Sequence, residues 1–298
     1  MIYDLIIVGM GPAGVSAAIY AKRAGLSLLC LDKSMIGGTL NYIDRIDNYP
    51  GFYNITGPEL SFKMYDQLKE LEVEFKNKNV LDVEDGIVKK VITENEIYEC
   101  KNVIIATGRV SRSLGLENED ELLGKGISHC ALCDGALYKD KVVAVVGGGN
   151  SALSEALYLS SICKKVYLIH RRNEFSVKGQ IVNDIKSKQN VEFFMERKIA
   201  KLNKLENKLS SIELDNGIEL EIACLFSYVG YVPGTKFATS LDIADERGYI
   251  LVDEKCMTKI NGIYAVGDII KKDLYQIVNA AAEGAIAATD IANKLRSE

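Results

Sequence analysis

The chain is short of everything that would mark a nucleic-acid binder, a membrane protein or a disulphide scaffold. No run of lysine or arginine exceeds two residues, and 36 Lys and Arg are outnumbered by 41 Asp and Glu. The formal net charge of -5 leaves a nucleic-acid role without an electrostatic footprint. No stretch approaches the ~18 apolar residues of a membrane span. The opening MIYDLIIVGMG has no basic region and no cleavage site; it reads as a buried strand, and a cytoplasmic protein is the expectation. The seven cysteines are odd in number, and most sit singly in apolar segments. That pattern suits buried reduced thiols and not a disulphide framework. Low-complexity sequence and short repeats are also missing. What remains is globular composition, 48% hydrophobic and 26% charged over 298 residues, enough for two ordinary domains.

Only Cys130 and Cys133 lie close together, in HCALCDG at 129–135. A zinc site wants four ligands, and there is no second CxxC and no HxxxH. Disulphide exchange wants a thiolate, and a CxxC pair lowers the pKa of one thiol. Two intervening residues allow a small disulphide ring. Asp134, next to the pair, can manage the proton that accompanies the electrons. The bland alternative is a pair of unreactive core thiols. His129 has the chemistry of a base but reads as a packing or capping residue.

A glycine-turn unit occurs twice. Ile2–Val8 reads as a strand, Gly9-Met10-Gly11-Pro12-Ala13-Gly14 as a turn, VSAAIYAKRAG as a helix, and LSLLCLD as a second strand ending in Asp32, 18 residues after Gly14. Gly9 permits the turn, Gly11 lets backbone approach a pyrophosphate, and Gly14 lets helix pack close to strand. Asp32 can accept hydrogen bonds from a ribose, and its charge opposes a 2'-phosphate, so the site suits FAD or NAD. The second unit runs from KVVAVV (141–146) through Gly147-Gly148-Gly149-Asn150-Ser151-Ala152 and an amphipathic helix to VYLIH. It ends in His170-Arg171-Arg172, where an NAD site places an acid. Two guanidiniums fit a 2'-phosphate; the plain alternative is a solvated basic strand end. Two nucleotide units in one chain suggest two nucleotides exchanging electrons.

NVIIATG (102–108) and GIYAVGD (262–268) are further strand-to-turn signals, and an Ala-rich helix follows. The fold class expected is α/β, two Rossmann-like nucleotide-binding domains of three-layer ββα build, the second inserted in the first. The expected limits are 1–114 with 242–298 for the first domain and 115–241 for the second. Candidate hinges are 111–120 and the stretch near Thr239–Asp242. Alternating patterns in 88–108 and 208–230 suggest small antiparallel ribbons.

Taken in order, GMGPAG, Gly37-Gly38, IDNYPG, IIATG, HCALCDG, VVGGGNSA, HRR and GIYAVGD resemble the low-molecular-weight thioredoxin reductases over the whole chain. The resemblance implies an FAD-dependent disulphide reductase that rotates one domain against the other during turnover. It implies FAD on Gly9, Gly11, Pro12, Ala13, Gly14, Asp32, Lys33, Gly37, Gly38, Thr39, Asn48, Ala106, Thr107, Gly108, Gly267, Asp268, Gln276 and Ile277, with Gly267-Asp268 at the pyrophosphate and ribityl region. It implies NADPH on Gly147, Gly149, Asn150, Ser151, Ala152, His170, Arg171 and Arg172. Cys133 would face the flavin, Cys130 would exchange with thioredoxin, and Asp134 would be the acid/base. A homodimer is expected on the same ground. The chain departs from the family where Ser176 takes the place of a third arginine, Thr39 follows the glycine pair, and GYVPGT replaces GHxPNT, with Lys178 nearby. These departures keep a ferredoxin donor open as an alternative to NADPH, and a flavin redox sensor without turnover as another.

Overall fold

The computed structural model describes residues 1–43 and 45–297. Two compact units emerge: Met1–Val110 with Val232–Glu298, and Ser111–Tyr231. The insertion therefore begins and ends earlier than the expected 115 and 241. Residues 111–114 belong with the inserted unit because the buried carboxylate of Glu119 accepts from the Ser113 hydroxyl at 2.6 Å and from the N–H groups of Leu114 and Gly115 at 2.8 and 2.9 Å. Leu114 and Leu116 then pack on that unit's core. At the other crossing, Ala238, Leu241 and Ile243 are buried in the first unit's core, which draws 232–241 into it. Both candidate hinges are thus tied down within a unit, and the chain crosses beside them.

In the first unit β1 (Ile2–Val8), α1 (Pro12–Arg23), β2 (Leu28–Asp32), α2 (Gly57–Glu70), β3 (Glu74–Asn77), β4 (Val80–Glu84), β5 (Lys89–Thr93) and β6 (Ile97–Ile105) follow in order. Strands β3-β2-β1-β6 run parallel, and the near-continuous apolar run of β1 reflects burial on both faces. Leu5 and Ile7 pack toward α1, and Ile6 and Val8 toward Val83, Val91 and Tyr98 of the β4–β5–β6 ribbon. Helix α2 starts at a capping box, Thr56 with Glu59.

After β7 (Arg109–Ser111) come α3 (Glu119–Leu122), β8 (Ile127–Ser128), α4 (Ala131–Asp134), β9 (Val142–Gly147), α5 (Asn150–Ile162), β10 (Lys165–His170), α6 (Gln180–Lys186), β11 (Val191–Met195), β12 (Ile199–Leu205), β13 (Lys208–Leu214), β14 (Glu219–Glu221) and β15 (Cys224–Tyr228). The order β11-β10-β9-β15-β8 makes a parallel sheet, and β12-β13-β14 an antiparallel one. Val143, Val145 and Phe226 face α5, while Ala144 and Leu225 face Leu202 and Ile212 of the small sheet. The ribbon expected over 208–230 stops at Glu221. Cys224–Ser227 are buried in succession and enter the parallel sheet instead.

The chain returns through β16 (Tyr231–Pro233), β17 (Ile263–Ala265) and α7 (Ile277–Ser297). β17 lies parallel to Val103–Ile105 at the C-terminal half of β6, while Lys89–Ile92 pair antiparallel with its N-terminal half. Each unit is a three-layer ββα sandwich with one nucleotide-type turn. Among the described residues no helix is long and apolar enough to cross a membrane.

Candidate active site

The first unit's glycine turn is shaped by close packing. Gly9 adopts φ +99°, and a Cβ there would meet the Ala106 carbonyl oxygen at 2.5 Å. A Cβ on Gly14 would run into the Gly9 carbonyl. Gly11 is different: the nearest atom to a Cβ would be the Gly37 carbonyl oxygen, 4.0 Å away, so the backbone is open to a ligand. α1 has no side-chain cap and no acid in its first turn, leaving its N-terminal N–H groups and positive dipole end for an anion. The α1 position is fixed by α7, since Gly284 abuts the Ala13 carbonyl and Ser16 Oγ donates to the Ala281 carbonyl at 2.6 Å.

Asp32 is held at the end of β2. Its Oδ2 accepts the Met10 N–H at 2.6 Å, and its Oδ1 accepts from Ser34 N and Oγ. The Gly37 N–H donates to the Met10 carbonyl at 2.7 Å, drawing the Gly37–Gly38 turn to the same place. Ser61 Oγ, buried against Gly37, has no hydrogen-bond partner among the described residues. Asn48 Nδ2 donates to Gln276 Oε1 at 2.9 Å, and Thr107 Oγ1 to the Gly234 carbonyl at 2.9 Å. Lys33 and Thr39 are exposed, and Pro12 and Ile277 open their helices. The Gly267 N–H is taken by Glu283 Oε2, which also pairs with Lys272 at 2.6 Å. The carboxylate of Asp268 pairs with Arg109. Sequence reasoning missed Arg109, Lys272 and Glu283. Only their contacts across 159 and 11 residues single them out.

In the second unit β9, β10 and β15 end together, with Gly147 opposite Tyr228. Gly149 has open space where a Cβ would stand, and α5 begins there without a side-chain cap or an early acid. Asn150 and Ser151 lie exposed in the first turn of α5, and Ala152 is buried. Arg171 and Arg172 are exposed at the end of β10. His170 is not exposed with them. Its ring fills the space beneath Gly148, and its Nε2 donates to the Glu174 carbonyl at 3.1 Å, so it shapes the turn. Burial holds His170 below the usual imidazole value of 6.5. Charging it therefore favours the unfolded chain, and its contribution to stability is present above about pH 6.5 and lost as the pH falls. Thermal unfolding between about pH 7.5 and 5.5 should show a falling melting temperature, with a shallower fall in His170→Gln. An equal slope in that variant would refute the assignment.

Cys130 and Cys133 form a disulphide with Cα atoms 5.4 Å apart, Cys130 buried and Cys133 exposed. Four hydrogen bonds shape this turn. The Cys133 N–H points to Cys130 Sγ at 3.0 Å, an interaction that favours a thiolate on Cys130 once the bond is reduced. Ser128 Oγ donates to Asp134 Oδ2 at 2.7 Å and accepts the Cys130 N–H at 3.0 Å. Tyr228 Oη accepts the Ala131 N–H at 2.9 Å. His129 packs its Nδ1 on the Ser227 carbonyl at 3.2 Å. Ser128 and Tyr228 were not visible as site residues in the sequence, because β8 and β15 bring them in. The other five cysteines are free and buried. Burial pushes Cys163 up to about 11 and Cys100, Cys224 and Cys256 up to about 12, which keeps them protonated and inert.

The sequence pattern of the pyridine nucleotide-disulphide oxidoreductases matches residues 3–284. Thioredoxin reductase of Mycoplasma genitalium is 42% identical over 300 residues, 98% of this chain and 95% of that protein. The chain belongs to the pyridine nucleotide-disulphide oxidoreductases, among the thioredoxin reductases. The crystal structure of Lactococcus lactis thioredoxin reductase is similar with a TM-score of 0.88 at 37% identity, covering 99% of this chain and 100% of that one. A ferredoxin-flavin thioredoxin reductase from Clostridium acetobutylicum is similar at 32% identity and a TM-score of 0.56, covering 99% of each chain. Among the described residues the Cys130–Cys133 disulphide is the one cysteine pair that is bonded. The residues of the first unit fit a dinucleotide such as FAD on three observations: the open backbone at Gly11, the uncapped start of α1, and the fixed carboxylate of Asp32.

Proposed function

We propose that this chain is an FAD-dependent thioredoxin-disulphide reductase that takes electrons from NADPH and delivers them through Cys130–Cys133 to thioredoxin or a thioredoxin-like protein. A cytoplasmic homodimer belongs to the same reading. The observation that carries it is the disulphide turn itself, a bonded CxxC with an acid fixed beside it by Ser128. When bound in the first unit, FAD supplies the two-electron link between nicotinamide and disulphide. The net change is NADPH, H⁺ and a substrate disulphide going to NADP⁺ and a dithiol.

Once the pair is reduced, the Cys130 thiolate attacks a sulfur of the substrate disulphide. The substrate S–S bond breaks, and one substrate sulfur leaves as a thiolate that takes a proton. Cys133 then attacks Cys130 Sγ in the mixed disulphide, reforms the Cys130–Cys133 bond and releases the second substrate thiol. Asp134 moves the proton between Cys133 and the departing sulfur, and Ser128 keeps that carboxylate oriented. Ser128→Ala should therefore lower kcat with thioredoxin about tenfold while flavin reduction by NADPH is unchanged, and Ser128→Thr should recover most of the loss. Steady-state turnover and stopped-flow flavin bleaching separate the two steps.

A second reading has a specific basis. Ser176, standing where the family's third arginine is expected, folds back with its N–H on the Gly148 carbonyl at 2.8 Å. The missing guanidinium and the likeness to a ferredoxin-flavin enzyme support a ferredoxin donor. Anaerobic mixing with NADPH, NADH and reduced ferredoxin tests both. Bleaching of the flavin by NADPH, carried through to thioredoxin, upholds the first. Bleaching by reduced ferredoxin alone upholds the second. Bleaching with no disulphide reduced by any donor points to the sensor.

A further inference from the structure

A guanidinium stands among three segments that each carry an expected flavin residue, and nothing in the motifs accounts for it. Arg109 follows Thr107-Gly108 directly. Its Nη2 and Nε donate to Asp268 Oδ2 at 2.8 and 3.2 Å. Its Cζ lies 4.2 Å from the centre of the Tyr275 ring, next to Gln276. The ion pair is about three-quarters buried on both sides, at 26% and 28% exposure, so it is less screened than a surface pair. The planar fork and the stacked ring are features that lysine does not reproduce.

We propose that Arg109 is a positioning residue of the flavin site: it cancels the charge of Asp268 and braces Tyr275, so that the bound cofactor meets a neutral pair and not a lone carboxylate. This inference rests on the FAD reading given above. FAD brings a doubly charged pyrophosphate, and reduction adds further negative charge to the flavin. An uncompensated carboxylate in a partly buried site opposes both. Sequence distance hides the arrangement, because Arg109 and Asp268 are 159 residues apart. Chain position adds a consequence. Arg109 is the first residue of β7, so the strand that leaves this unit starts from a residue anchored in the cofactor site.

The test compares wild type, Arg109→Gln and Arg109→Gln/Asp268→Asn. The readouts are FAD affinity, by titrating flavin-stripped protein, and the midpoint potential of the bound flavin, by equilibration with a reference dye. Arg109→Gln should bind FAD about tenfold more weakly and shift the potential to more negative values. The double variant, neutral again, should recover most of the shift in potential. Wild-type affinity and potential in Arg109→Gln would overturn the role. Failure of the double variant, folded by far-ultraviolet circular dichroism and saturated with FAD, to recover the potential would overturn charge compensation. Wild-type protein that takes up no FAD would sink the functional reading itself, an outcome distinct from the other two.

Discussion

Cys133→Ser abolishes thioredoxin reduction, by about 10³-fold or more, while the flavin is still bleached by the nucleotide donor. The expectation follows from the separation of labour in the second unit. The glycine turn at Gly147–Gly149 and the two arginines that follow β10 are untouched by the substitution. The disulphide that must pass electrons outward is gone. A finer outcome comes from trapping with a thioredoxin that keeps one active-site cysteine, supplied as its mixed disulphide with thionitrobenzoate, which leaves as a thiolate when a reductase thiolate attacks the thioredoxin sulfur. The Cys133 N–H at 3.0 Å from Cys130 Sγ makes Cys130 the better thiolate, so Cys133→Ser should accumulate a mixed disulphide through Cys130. Burial weighs on the other side, since Cys130 is 6% exposed and Cys133 is open to solvent. A mixed disulphide that forms only in Cys130→Ser would reverse the two roles. Turnover near the wild-type rate in both variants would remove the pair from the mechanism. Mass spectrometry of the trapped species decides among these.

Much of this site was legible because its chemistry is local. A strand, a glycine turn, a helix and an acid at the end of the next strand occupy some 30 consecutive residues, and each step has a backbone reason that survives without tertiary knowledge. The same holds for Cys130, Cys133 and Asp134, which share one turn. What escaped was assembled across the sheet. Ser128 was in plain sight two residues before Cys130, yet its bond to Asp134 depends on α4 folding back over the end of β8. Tyr228 reaches Ala131 from 97 residues away, and no periodicity announces that. His170 was grouped with the arginines because the three are adjacent, but β10 ends at His170 and the arginines lie beyond it. The ring went under Gly148 while Arg171 and Arg172 stayed outside. The domain limits slipped for a related reason. The segment 111–120 has the composition of a linker, and a buried glutamate organises it as part of a unit. Loop-like residues mark loop conformation, not freedom.

Arg171→Ala/Arg172→Ala is expected to raise the KM for NADPH by about 10²–10³-fold, with a much smaller effect on NADH. Both guanidiniums are exposed at the carboxyl end of β10, and neither enters an ion pair among the described residues, so they are free to meet a dianionic 2'-phosphate. Charge-assisted hydrogen bonds to phosphate contribute about 1.5–3 kcal/mol each, and two of them account for the expected factor. NADH lacks the phosphate and should lose little. The preference ratio, measured as kcat/KM for NADPH over NADH, is thus a sharper readout than either rate alone, because loss of folding would depress both together. Ser176 makes the outcome informative in each direction. Adding the missing guanidinium with Ser176→Arg should raise NADPH preference severalfold if the loop, whose N–H rests on the Gly148 carbonyl, already lies beside the nucleotide. If the double alanine variant leaves NADPH kinetics unchanged, the phosphate is not read at β10. The nucleotide turn of the second unit would then hold its shape without serving as the entry point for electrons, and the donor would have to reach the flavin by another face.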